Sequence, residues 1–255
     1  MIAIMVGVAR DARAELRVGF ASVDISPPLG SPMAGYYSAR GCTGLHDPLH
    51  ATAMVIEREN QRVALVALDL ITTTKELVGS VREIVQKQTG IPADAVMISA
   101  SHTHTGPSIR TTGRDAEDLR SASDEVREYL TQLPSKIAAA VEMASESTAV
   151  AKLESGVGVA PGVAFNRRFH MTDGSFGWNP SKLSDKIVRP AGPTDDDVPV
   201  VVVRSPDDEP IAVYLNFAMH LDTVGGSVVS ADYPGPAAEL LRRALGSELA
   251  TLFTI

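Results

Sequence analysis

The order of elements between residues 62 and 100 constrains this chain more than any other feature. The run "RVALVALDL" (62–70) is apolar on both faces as far as Asp69, the pattern of a strand buried in the middle of a sheet. In the next stretch, "TTTKELVGSVREIVQKQTG", Leu77, Val81, Ile84 and Val85 fall at helical spacing, Thr73 and Glu76 match a capping box, and Gly90 stands in the stop position. "AVMISAS" then returns to strand. Strand, helix, strand predicts a crossover unit inside a mixed sheet, because parallel neighbours need a long connection across one face.

Other segments fill in that frame. "RVGFASVDIS" reads as a strand halted by Pro27 and Pro28, since neither proline can donate to a ladder. "TAMVIER" (52–58) precedes the central run by only three residues, the length of a hairpin turn. "SDEVREYLTQLPSKIAAAVEMAS" carries Val126, Tyr129, Leu130, Leu133, Ile137 and Val141 on one helical face, and Pro134 is expected to bend or split that helix. Residues 156–197, rich in Gly, Pro and Asp and without clear periodicity, read as long surface loops. A second hairpin follows at "VPVVVVRSPDDEPIAVYLNF", then a short helix from near Pro236 to Gly246, and last the β-like run "LATLFTI", expected at a sheet edge. The fold class is α/β: mixed β-sheets with hairpins and crossover helices in a layered architecture, incomplete at the C-terminus. Residues 1–16 read as a disordered N-terminus or the remnant of a signal peptide, and 17–255 as one region.

With 31 acidic against 23 basic residues the net charge is −8, which repels phosphate backbones and argues against a nucleic-acid partner. No apolar run reaches the length of a bilayer span. The lone Cys42 excludes an intramolecular disulfide and a cysteine-built metal site, and reads as a small buried apolar group. No G-x-S-x-G elbow, H-E-x-x-H, Walker A or G-x-G-x-x-G pattern is present.

Two of the six histidines, His102 and His104, stand one residue apart in "ISASHTHTGP", where the strand of the crossover gives way to Gly-Pro. On an extended segment such side chains point the same way and converge at the mouth of the strand. His220 also follows an apolar strand and precedes a small-residue loop, "LDTVGG". Neutral imidazoles from two strand ends suit a zinc ion. The spacing alone is equally compatible with one buried, hydrogen-bonded histidine beside a solvated one. Asp69 and Asp232, near strand ends, read either as carboxylates that steady the histidines or as turn and helix caps. His46, His50 and His170 read as loop residues.

Five blocks in order, "VGFASVDISPPLGSPMAGY", "VALVALDL", "VMISASHTHTGP", "FNRR" and "NFAMHLDTVGG" running on to "SADYPG", resemble the N-terminal catalytic region of the neutral/alkaline non-lysosomal ceramidase family. The resemblance implies a zinc-dependent amidohydrolase acting on the amide of N-acyl sphingoid bases, a lipid-like substrate met by a secreted or periplasmic enzyme with peripheral membrane contact. It implies zinc on His102 and His220, contact of His104 and Arg167 with the reacting amide, and a supporting place for Asn166. Family members run on past the position of Ile255, and the continuation supplies a glutamate and a tyrosine to the metal and a serine to catalysis. "HLDTVGG" also replaces the family's His-Gly-Thr. The alternatives are a non-catalytic relative that binds an amphipathic ligand or partner chain, and a hydrolase of the same fold acting on another amide or ester.

Overall fold

Two hydrophobic surfaces on opposite faces of one sheet organise the molecule. The computed structural model describes residues 15–110, 115–181 and 183–255, so the expected free N-terminus falls almost wholly outside the described residues. The chain begins with β1 (Leu16–Asp24), β2 (Gly44–Leu45), β3 (His50–Arg58) and β4 (Gln61–Leu68). Next come α1 (Lys75–Thr89), β5 (Val96–Ala100), α2 (Asp115–Arg120), α3 (Asp124–Glu146) and β6 (Ala149–Val150). All of these strands except β2 form a five-stranded sheet in the order β5-β4-β3-β1-β6, with β4 and β5 parallel and the other pairs antiparallel. The crossover through α1 is the one the sequence predicts. Its helix is capped one residue later than the capping box suggests, by Thr74, whose hydroxyl accepts from the Leu77 N–H; Gly90 closes it in the left-handed conformation at φ 73°.

Period-two alternation assigns each strand residue to a face. Ala53 and Val55 of β3 and Ala64, Val66 and Leu68 of β4 join Leu77, Val81, Leu133, Ile137 and Val141 of α1 and α3 in the larger core. Val18, Met54 and Ala67, pointing the other way, meet Val203, Ala212 and Leu252. The latter belong to a second sheet. Its strands are β7 (Lys152–Val159), β11 (Asp197–Arg204), β12 (Pro210–Asn216) and β14 (Ala250–Thr254), after β8 (Arg168–Met171), β9 (Phe176–Trp178), β10 (Ile187–Pro190), β13 (Val228–Val229) and α4 (Pro234–Leu245) are counted in chain order. The order is β14-β12-β11-β7, and β14 runs parallel to β12 at the edge, where the sequence places it. The layers are therefore helices, mixed sheet, second sheet. Cys42 is buried and free, as read from the sequence.

Two expectations are corrected. Pro134 does not split its helix: α3 is continuous over 23 residues, because Leu133, Ile137 and Val141 on either side are buried to about the last percent and outweigh the one lost N–H bond. Residues 156–197 are not loop alone: between the loops they hold the second half of β7 and a separate three-stranded sheet in the order β10-β8-β9. Every residue of β7 is exposed, so selection for burial never imprinted an alternating pattern on it. His170, read as a loop residue, lies in β8, and His50, read likewise, opens β3 two residues before the run that the sequence marks.

Candidate metal centre

The backbone at the end of β5 keeps pairing with β4 past the last strand residue: Ser101 N–H donates to Leu68 O at 2.8 Å and His102 N–H to Leu70 O at 2.9 Å. His102 then turns sharply, with φ at 74°, in the left-handed region. The two imidazoles therefore do not converge by simple strand alternation; the kink at His102 sets the first ring and the following turn the second. Thr103 and Thr105 are wholly buried, and both hydroxyls donate to the Ser230 carbonyl, at 2.8 and 3.0 Å. His104 N–H donates to Leu221 O at 3.2 Å, which stitches the turn directly to the segment that follows β12. Gly35 packs flush on the His104 ring, and an added Cβ would sit 2.8 Å from its Cγ and Nδ1.

The second arm is fixed by one carboxylate. Asp232, fully buried and at φ 62°, accepts from Thr223 N–H at 2.9 Å, Thr223 Oγ1 at 2.5 Å, Val224 N–H at 2.9 Å and Tyr233 N–H at 2.7 Å. It thus ties the loop after His220 to the start of α4.

The result is a cluster of three imidazoles. His102, His104 and His220 stand with ring centroids 5.0, 5.0 and 4.5 Å apart pairwise, and one nitrogen from each lies within 4.8 Å of the others. Among the described residues no other set of histidine, cysteine or carboxylate donors converges in this way. His102 Nδ1 is paired with Ile71 O at 2.8 Å. That contact makes Nδ1 the protonated nitrogen and leaves the Nε2 lone pair facing the cluster, the orientation a metal-binding imidazole needs. His104 Nε2 lies 3.4 Å from His102 Nε2, close to the ~3.3 Å edge of a tetrahedron with bonds of 2.0–2.1 Å to zinc. The donor chemistry and the spacing fit a divalent ion.

Electrostatics agree with neutral rings. Burial first, then the cationic Arg167 nearby, push His220 down to about 4. Burial also lowers His104, partly offset by Asp222, whose Oδ1 is 4.0 Å from His104 Nδ1. Neutral imidazole is the form that ligates.

Comparison with known proteins now decides the family. The sequence model for neutral/alkaline non-lysosomal ceramidase, N-terminal, matches residues 16–251. The chain belongs to that family. No curated protein sequence matches it. The crystal structure of neutral ceramidase from Pseudomonas aeruginosa superposes with a TM-score of 0.74 at 19% identity, covering 94% of this chain and 38% of that one. A structure described as ceramidase complexed with C2 gives 0.73 at 18%, over 94% and 37%. The fold is thus a ceramidase fold, and the chain spans under two-fifths of the ceramidases it matches.

Within this ceramidase-family chain the remaining candidates fall in different places. Arg167 lies just before β8, its guanidinium 5.5 Å over the Trp178 ring, and its charge is felt at His220. Asn166 organises the same loop: its side-chain oxygen accepts from Arg168 N–H at 2.9 Å and its amide donates to Pro193 O at 3.3 Å. Asp69 has no hydrogen bond to the cluster. It accepts from His50 N–H at 2.8 Å and lines a cavity of about 750 Å³ with Asp47, His46, His50 and Arg242. The cavity leaves its surface partly accessible while the surrounding protein withdraws it from bulk water, and this desolvation, the largest cause, pushes Asp69 up to about 7.

Sequence reasoning missed three residues at the site. Asp222 accepts from Tyr36 Oη at 2.6 Å. Arg40 covers the Tyr36 ring at 3.9 Å and donates to the carbonyls of Ala34, His104 and Gly226. It therefore clips the β5 turn to both neighbouring loops. The only available signal was the tyrosine pair in a Gly- and Pro-punctuated loop, which carries no partner information by itself.

Proposed function

We propose that this chain carries part of the active site of a zinc-dependent amidohydrolase that cleaves N-acyl sphingoid bases to a sphingoid base and a fatty acid, in the secreted or periplasmic setting the family suggests. The observation that carries this reading is the convergence of imidazoles from the ends of two separate strands. His102 and His220 would hold the zinc. Bound there, zinc would lower the pKa of a coordinated water toward ~7 and polarise the amide carbonyl.

The chain's own groups do the rest. His104, steadied by Gly35 against its ring and by Asp222 near Nδ1, would take a proton from the attacking water and pass it to the leaving nitrogen of the sphingoid base. Arg167, a cation whose charge is felt at His220, would suit the negative charge that develops on the carbonyl oxygen. Asp232 and Arg40 hold the two loops in register so that neither imidazole has to be ordered during the reaction.

The 3.4 Å separation of His102 and His104 nitrogens supports a second assignment, with His104 as a third zinc ligand. His104→Ala separates them: retained zinc with lost turnover makes His104 a proton-handling group, and lost zinc makes it a ligand. Hydrolysis of a fluorescent N-acyl sphingosine by the zinc-loaded protein, set beside simple amides and esters, tests the substrate class. Preference for a simple ester points to another hydrolase of this fold, and zinc binding with no turnover of any substrate points to a non-catalytic relative.

A further inference from the structure

The cavity of about 750 Å³ that Asp69 lines contains none of the three clustered imidazoles. It opens between the two larger sheets, beside α4. The face of the first sheet that packs on the second is apolar at Val18, Phe20 and Met54. One step further along the strands the same face turns polar, at Ser22, Thr52, His50 and Asp69.

These polar groups are not equally satisfied. Ser22 and Thr52 bond each other at 3.0 Å. Asp47 is fully engaged, accepting from Ala231 N–H at 2.7 Å and Ser230 Oγ at 2.6 Å, with His46 Nδ1 at 2.6 Å. Asp69 uses only Oδ2, on the His50 N–H. Among the described residues neither its Oδ1 nor the His50 ring has a hydrogen-bond partner. Desolvation, the largest cause for each, raises Asp69 to about 7 and lowers His50. Arg242, the one lysine or arginine on the lining among the described residues, is held by Glu239 at 3.6 Å. The carboxyl thus faces the cavity without a counter-charge, an arrangement that a bound cation would stabilise. A metal does not suit it, because among the described residues only the imidazole cluster brings three donors together. The remaining walls include Phe20, Pro48, Ile211, Leu249 and Phe253, which suit a compact apolar body.

We propose that this cavity binds a small organic ammonium, its nitrogen donating to Asp69 Oδ1 and the His50 ring and its apolar body lying against Phe20 and Phe253. The inference goes beyond the hydrolase reading and stands without it, since its readouts need neither zinc nor turnover.

Benzylamine, an ammonium from pH 6 to pH 8, is titrated into the full chain by calorimetry, with benzyl alcohol as its neutral match. The groups that face Asp69 are His50 beside it, Asp47 and His46 from the loop after β2, Glu239 and Arg242 from α4, and Glu248 beyond that helix. Ionisation of Asp69 through its value of about 7 should tighten benzylamine about tenfold between pH 6 and pH 8. Asp69→Asn should remove that gain and weaken binding at pH 8 about tenfold, while any share from His46 survives in the variant. Ala238→Phe fills the cavity from α4 without changing charge, and should abolish binding in a protein that still melts cooperatively. Benzyl alcohol should bind at least about tenfold more weakly than benzylamine at pH 8. No heat from benzylamine, equal binding of the alcohol, or binding untouched by both variants would overturn the proposal. So would binding that is lost in His220→Ala instead, which would put the amine at the imidazole cluster.

Discussion

The turn at residues 101–108 and the segment at 163–190 approach the same histidines and are built in opposite ways. In the turn Ser101, Thr103, Thr105 and Ser108 are buried; the Thr103 and Thr105 hydroxyls donate to the Ser230 carbonyl, and the backbone N–H groups of Ser101, His102 and His104 donate to the carbonyls of Leu68, Leu70 and Leu221. In the segment large rings face water and the strands pair only among themselves. Buried polar groups with directed partners hold a side chain to a fraction of an ångström, whereas an exposed sheet tolerates exchange and can adapt to a surface. The floor of the site is thus fixed, and its wall is free to serve recognition.

The contrast can be broken most severely at Asp232. Asp232→Ala strips four donors of their acceptor in a fully buried place, and should cost about 3 kcal/mol in chemical denaturation together with a marked loss of zinc affinity. A cost below ~1 kcal/mol would show that the floor is not held as described.

Acid should come next. Above pH 6.5 His220 is neutral folded or unfolded and contributes no pH dependence. Below 6.5 the unfolded chain takes up a proton that the folded site, with its value near 4, refuses. Stability of the zinc-free protein therefore falls as pH drops from about 6.5 toward 4, and His220→Gln should flatten that part of the melting-temperature profile. An unchanged slope in the variant would contradict the burial of the ring.

Asp69 behaves with the opposite sign. Its folded value near 7 means that the carboxyl is accommodated as the neutral acid at low pH, and that this contribution is lost as pH rises through 7. Asp69→Asn should then melt higher than the parent above pH 7, by on the order of 1–2 kcal/mol, and show no gain near pH 4. A variant no more stable at alkaline pH would place the carboxylate in a wetter setting.

The smallest effect belongs to the wall. Phe176→Ser should change folding stability by less than about 0.5 kcal/mol, because the ring is already exposed. A larger loss in a thermal melt would mean that this sheet is part of the core.

How much of this was legible in the chain follows the same divide. The crossover of β4, α1 and β5 and the hairpin of β11 and β12 announced themselves, because burial on one or both faces writes a period into the residues. His102, His104 and His220 could be picked out, since strand ends are readable. Their convergence was expected, but not the way it is reached, because that depends on the kink at His102 and on bonds to Leu221 and Ser230 that span more than a hundred residues. The sheet β10-β8-β9 left no period, having no buried face to enforce one. Asp222 and Arg40 were invisible for a related reason: each acts through a loop brought near only by the completed fold.

Zinc content after exhaustive dialysis tests the central claim most directly. One divalent ion shared by imidazoles from residues 102 and 220 predicts close to one equivalent in the parent protein and a large loss in both His102→Ala and His220→Ala, each still folded by circular dichroism. A parent protein without zinc, or either variant retaining the full equivalent, would contradict it.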